Sequence, residues 1–179
     1  MSIAIQVYDT AREREKPKNK REPDFTEKKV KENTDRLHLR YYSFYEPVDK
    51  ALLKRVIEKA QKLPAAQRIP MLDKLFPTSQ SVDLFLEEAY KKTTLKDVET
   101  AKSLFYQKSR ELEKVGDPLI FLASTLYPEF EAQKEHRRLF DANIKEQRKK
   151  YLEALLEWKG GKIYPDANGT MRFTCGHIA

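Results

Sequence analysis

The stretch Asp117-Pro-Leu-Ile-Phe-Leu-Ala-Ser-Thr-Leu-Tyr-Pro-Glu-Phe130 decides the fold. Asp117 offers a side-chain acceptor for the first free N–H groups of a helix, and Pro118 suits the first helical position, where no N–H is needed. Leu119, Leu122, Ala123, Leu126 and Phe130 then recur at threes and fours, which describes one buried stripe. Pro128 removes a backbone donor and predicts a kink. Beyond it, Phe140, Ile144, Tyr151, Leu155 and Trp158 keep the spacing of a helix lying against a partner, until Gly160-Gly161 stops it. The expectation is an all-α chain, an irregular multi-helix bundle with a long kinked C-terminal helix.

The residues after that stop read differently. Tyr164-Pro-Asp-Ala-Asn-Gly-Thr-Met-Arg-Phe-Thr-Cys-Gly176 is a turn running into a single β-strand. A lone strand leaves its backbone donors and acceptors without partners. Its sheet is therefore expected in polypeptide outside these residues, and the chain reads as a piece of something larger.

Towards the N-terminus the helical reading continues. Residues 2 to 15 form a first helix ended by Pro17, and Asp24 is placed as the cap of a second reaching about Tyr45. Tyr41, Tyr42, Phe44 and Tyr45 crowd its end, a cluster suited to a buried helix junction. Pro47 opens a helix with Val48, Leu52, Val56 and Ala60 in one row and Leu53 and Ile57 beside it, closed by Leu63-Pro64. A short helix follows from about Ala65 to Phe76. Pro77-Thr-Ser begins another with Val82, Leu86 and Ala89 on one side. Thr94 with Asp97 resembles a capping box before Val98, Ala101 and Phe105.

Composition bounds the chemistry. The 179 residues carry 35 Lys and Arg against 28 Asp and Glu, for a formal charge of +7. Six bases lie among Ala11 to Glu22, but three acids interleave with them and no nucleic-acid motif accompanies the run. It reads as a solvated face or hinge, with no nucleic-acid partner. No run of eighteen apolar residues occurs, so no membrane span is expected. The single cysteine, Cys175, excludes an internal disulfide or a cysteine-based zinc site and reads as a buried strand residue.

Catalytic constellations are missing from the pattern. His38, His136 and His177 fall in separate elements, without the i,i+4 spacing of a helical metal site. Glu87-Glu88 and Glu129, Glu131 and Glu135 are helix carboxylates lacking the paired Glu-x-x-His motifs of a di-iron bundle. No serine sits in a Gly-x-Ser-x-Gly or Gly-Asn-Ser-Gly turn. Asn168-Gly169-Thr170 matches a glycosylation acceptor but reads as the turn itself. The reading contains no catalytic, metal or cofactor residue.

Several segments carry a resemblance. These are Arg21-Glu22-Pro23, Val48-Asp49-Lys50-Ala51-Leu52-Leu53, Leu63-Pro64-Ala65-Ala66-Gln67-Arg68-Ile69, Asp117-Pro118-Leu119-Ile120, and Pro165 to Asn168 with Thr170 to Thr174 and Gly176. Their order resembles that of the bacterial serine dipeptidyl aminopeptidases of the dipeptidyl-peptidase 7 and 11 type. Cys175 departs from the aromatic residue more usual there. The resemblance implies a chymotrypsin-like double barrel with a helical domain inserted between the Asp and Ser of its His, Asp, Ser triad. This chain is similar to the later part of that insert plus the first return strand. Residues 1–22 would be a helix end and basic hinge, 23–161 the helical cap, and 162–179 the turn and return strand. None of the triad carries over to a residue here. The resemblance further implies peptide substrates, no cofactor, contact with the rest of the barrel, a homodimeric parent, and the periplasm or surface of a Gram-negative bacterium. The contrasting expectation is a stand-alone helical adaptor for acidic partners.

Overall fold

A computed structural model describes residues 1–161, and every regular element among these is helical. In chain order the helices are α1 (Ser2–Glu15), α2 (Glu27–Asp35), α3 (Leu37–Tyr42), α4 (Glu46–Gln61), α5 (Pro70–Leu75), α6 (Ser79–Lys92), α7 (Val98–Leu104), α8 (Ser109–Lys114) and α9 (Pro118–Trp158). Among the described residues there is no strand. The strand expected over the tail, with Cys175 and His177, lies outside them. The chain divides into two units, Met1–Ala132 and Gln133–Ala179.

Two apolar clusters build the first unit, and the opening turns of α9 serve both. Leu119, Ile120 and Ala123 join Ala4, Val7, Ala11, Leu37, Leu104, Phe105 and Leu112. Leu122 and Leu126, from the adjoining side of α9, join Ile57, Leu72, Phe76, Val82, Leu86 and Tyr90. The threes-and-fours spacing after Asp117 thus marks a helix buried on two neighbouring flanks. Helical assignment continues through Pro128. Phe130 is only half-buried.

Start and stop chemistry explains most boundaries. The Thr78 hydroxyl accepts from Ser81 N–H at 3.1 Å, while Ser81 Oγ accepts from Thr78 N–H at 3.2 Å, a reciprocal cap for α6. Thr78→Ala is expected to cost about 1 kcal/mol of stability, read as a lower urea midpoint. After α9, Gly160 and Gly161 take φ of 60° and 78°, and Gly161 N–H donates to Leu156 O at 2.8 Å. Glycine holds that left-handed backbone without a Cβ clash, and the bond satisfies a terminal carbonyl.

Three expectations are corrected. The second helix is capped by Thr26, which accepts from Lys29 N–H, while Asp24 sits in a 3₁₀ turn over Pro23–Phe25. The helix then breaks at Arg36 before α3. Thr94 does not cap α7; Asp97 does, accepting from Thr100 N–H at 2.7 Å. The aromatic cluster does not form a buried junction. Tyr41 is half-buried with its hydroxyl on Leu95 O, but Tyr42 is 92% exposed, Phe44 42% and Tyr45 65%. Three of those four rings stand on the surface.

Within the basic run, Lys18, Asn19 and Lys20 are exposed. Glu13 is fully buried, paired to Lys16 and accepting from Glu22 N–H at 3.1 Å. Arg21 donates to Arg14 O at 2.8 Å and to Lys16 O at 3.1 Å. The turn after α1 is tied back onto its last residues by these bonds.

Candidate functional surface

His38, Glu87, Glu88, Glu135 and His136 all lie on exposed helix surfaces. His38 Nδ1 lies 2.9 Å from Asp35 O on an exposed helix end, and His136 is exposed on α9. No group of three His, Cys, Asp or Glu able to hold a metal occurs among the described residues. Glu87 accepts from Lys50 and Glu88 from Lys92; each bond holds its carboxyl below the usual range. Glu135 takes a two-pronged bond from Arg138 at 2.8 and 2.7 Å and is held low likewise. Carboxylates so exposed and so paired stay ionised near neutrality.

One cleft in the first unit has an enclosed floor. It measures about 310 Å³ and runs between α6, α8 and the start of α9. Leu112 and Ile120 form its floor, Phe85 and Phe121 its walls, and Glu88 and Glu113 its rim. Glu113 accepts from Tyr8 OH at 3.0 Å; burial, then this bond, pushes the Tyr8 phenol up to about 12. Ser124 also lines the cleft, but its hydroxyl donates to Phe121 O at 2.8 Å. Among the described residues no imidazole lines the cleft. It can hold an apolar side chain.

At the back of this cleft lies a polar knot that the sequence reading missed. Asp117 is 2% exposed and caps α9, accepting from Leu119 N–H at 2.9 Å and Ile120 N–H at 3.3 Å. It also accepts from Thr93 Oγ1 and Thr94 Oγ1, both at 2.9 Å, and from Thr94 N–H at 2.7 Å. One carboxylate therefore joins the end of α6 to the beginning of α9. The sequence marked Asp117 as a cap but had assigned Thr94 to Asp97.

The unexplained apolar surface lies on α4. Ile57 is buried and Leu53 half-buried against α6, whereas Val48 is 61%, Leu52 58% and Val56 54% exposed. Of the two apolar rows read from the sequence, the one carrying Leu53 and Ile57 packs inward, and Val48, Leu52 and Val56 of the other face water. Lys54 reaches Asp83 of α6 at 2.5 Å, fixing which side of α4 points inward. In the second unit, Phe140, Tyr151 and Trp158 of α9 are also exposed, at 60, 66 and 75%.

Comparison with known proteins adds what the side chains do not. The family model described as Peptidase S46 matches residues 1–179. A protein of Shewanella putrefaciens named Asp/Glu-specific dipeptidyl-peptidase is 28% identical over 184 residues, covering 99% of this chain and 25% of that protein. A Porphyromonas gingivalis protein of the same name is 35% identical over 69 residues, 37% of this chain and 10% of that protein. The chain thus spans about a quarter of the length of the first of these curated relatives.

Proposed function

Since the chain belongs to the peptidase S46 family, we propose that it is the helical part of a dipeptidyl-peptidase, a hydrolase that releases dipeptides from the free N-termini of peptides. The observation that carries this reading is a family match extending over all 179 residues. In this reading residues 23–161 form a cap over the cleft of a serine-type peptidase barrel. Residues 1–22 lead into the cap, and residues 162–179 return the chain to the barrel.

A cap of packed helices suits that task on physical grounds. Its first unit has a continuous core around α9, so it can move as one body to admit a peptide and release product. Closing one end of an open cleft limits the substrate to two residues beyond the scissile bond. The nucleophile, base and oxyanion donors belong to the barrel. Both relatives are named for Asp/Glu specificity, and we extend this to an acidic residue beside the bond that the parent cleaves. On this reading the parent works in the periplasm or at the cell surface. No helix among the described residues is long and apolar enough to cross a membrane.

The test compares two proteins. The purified 179-residue chain is expected to leave chromogenic dipeptidyl substrates intact. The longer polypeptide encoded by the extended reading frame is expected to cleave those with Asp or Glu before the chromophore, and to lose activity to a serine-directed inhibitor. Hydrolysis by the short chain, or a longer polypeptide inert towards every dipeptidyl substrate, would overturn the proposal.

A further inference from the structure

The outer face of α4 joins an apolar row to a set of unanswered positive charges. Val48, Leu52 and Val56 recur every four residues and are all more than half exposed. Arg55 follows Leu52 by three residues and Lys59 follows Val56 by three, so both project from that same side, with Lys62 one turn on. Arg55, Lys59 and Lys62 are exposed, and none makes an ion pair among the described residues. The acids of α4 are already engaged: Glu46 with Lys96 at 2.7 Å, Asp49 with Tyr90, and Glu58 with Lys54 at 4.0 Å. The face is therefore apolar and cationic, with no free carboxylate of its own.

That imbalance selects the kind of partner. A contiguous exposed apolar patch on a folded domain marks an interaction surface. A second copy of α4 would bring three more uncompensated cations and no available acid, which like-charge repulsion opposes. An apolar surface edged with Asp or Glu would cover the row and answer the charges together. We infer that the outer face of α4 docks an acid-edged apolar segment from the remainder of the peptidase polypeptide, outside residues 1–179. This rests on the reading that the chain is part of a longer dipeptidyl-peptidase. A protein of about four times this length, as in the Shewanella relative, has ample chain to supply that segment.

The test places a reporter in the row. Leu52→Cys is made in the 179-residue chain and in the longer polypeptide, and maleimide labelling is followed on the peptide containing residue 52 by mass spectrometry. The site is exposed, so the substitution leaves the fold intact, which circular dichroism checks. Labelling is expected to be about tenfold slower in the longer polypeptide, because a docked face reacts only after local opening. Adding Arg55→Glu and Lys59→Glu is expected to restore most of the rate, since the acidic edge would then be repelled. Equal rates in a longer polypeptide that cleaves dipeptidyl substrates overturn the docking while leaving the enzyme reading intact. Protection in a longer polypeptide that lacks such activity does the reverse. Protection that grows with concentration in the short chain alone assigns the face to a second copy and overturns the inference. A reading frame that adds nothing to these residues overturns both.

Discussion

Asp117→Ala is expected to destabilise the helical unit by about 3 kcal/mol, because the lost carboxylate strands several buried donors at once. Thr93 is 8% exposed, and its hydroxyl, like the N–H groups of Leu119 and Ile120, has Asp117 as its acceptor. Alanine supplies no oxygen, and Asp117 and Thr93 are both buried, where water is a poor replacement. The helix cap alone is worth about 1 kcal/mol, and each stranded buried donor adds roughly 1–3 kcal/mol, with partial relaxation holding the sum down. For a chain of this size the change corresponds to a fall in Tm of about 6–12 °C. Asp117→Asn keeps one carbonyl oxygen but turns an NH₂ towards donors, and about half the loss is expected. The exposed cap Asp97 is the comparison: Asp97→Ala removes the bond from Thr100 N–H and should cost about 1 kcal/mol. Urea unfolding of the three variants decides the matter. An Asp117→Ala chain within 0.5 kcal/mol of the parent would mean that the knot contributes nothing, given that ordinary surface changes fall within about that range.

The same knot shows what a sequence discloses and what it withholds. Asp117-Pro118 announced a helix start because capping is a local matter, decided within three residues. Pro17 after α1 and Gly160-Gly161 after α9 were legible for the same reason. The link from Asp117 to Thr93 and Thr94 spans more than twenty positions, and nothing local distinguishes a threonine that caps its own helix from one that serves another. A resemblance to a capping box at Thr94 and Asp97 therefore misled, since Asp97 caps by itself.

Helix α4 illustrates a second limit. Periodicity says which residues share a face, but α4 has two apolar faces, and only tertiary packing selects Leu53 and Ile57 over Val48, Leu52 and Val56. Against that background the exposed Tyr42 and Tyr45 make physical sense. Aromatic residues suit any dry contact, and the sequence cannot say whether the contact lies within this unit. The cleft beneath Phe85 and Phe121 was not foreseen, because its walls come from helices far apart in sequence.

Alkaline pH is expected to unfold the first unit, and buried phenols set the range. Burial, joined by the bond to Glu113, pushes Tyr8 up to about 12, and burial pushes Tyr41 to about 12 as well. Tyr90, buried beside Asp49, and Tyr127, buried near Glu131, are raised further. The ordinary phenol value is 10.0. Below pH 10 both folded and unfolded chains keep these protons, so the groups contribute no pH dependence. Between 10 and about 12 the unfolded chain releases them while the folded chain holds them, so the folded state binds more protons and loses stability as pH rises. Each such phenol contributes a limiting slope of about 1.4 kcal/mol per pH unit, less where water reaches the ring. Four acting together can consume the few kcal/mol by which a domain of this kind is stable. An ultraviolet phenol titration should then show four of the nine tyrosines ionising only as helical circular dichroism is lost. Tyr8→Phe sharpens the test. It should cost about 1 kcal/mol at pH 7, where the bond to Glu113 is lost, yet lose stability less steeply above pH 10 because one titrating group is gone. A Tyr8→Phe chain whose stability falls as steeply as the parent's between pH 10 and 12 would show that the Tyr8 phenol ionises as freely in the fold as out of it.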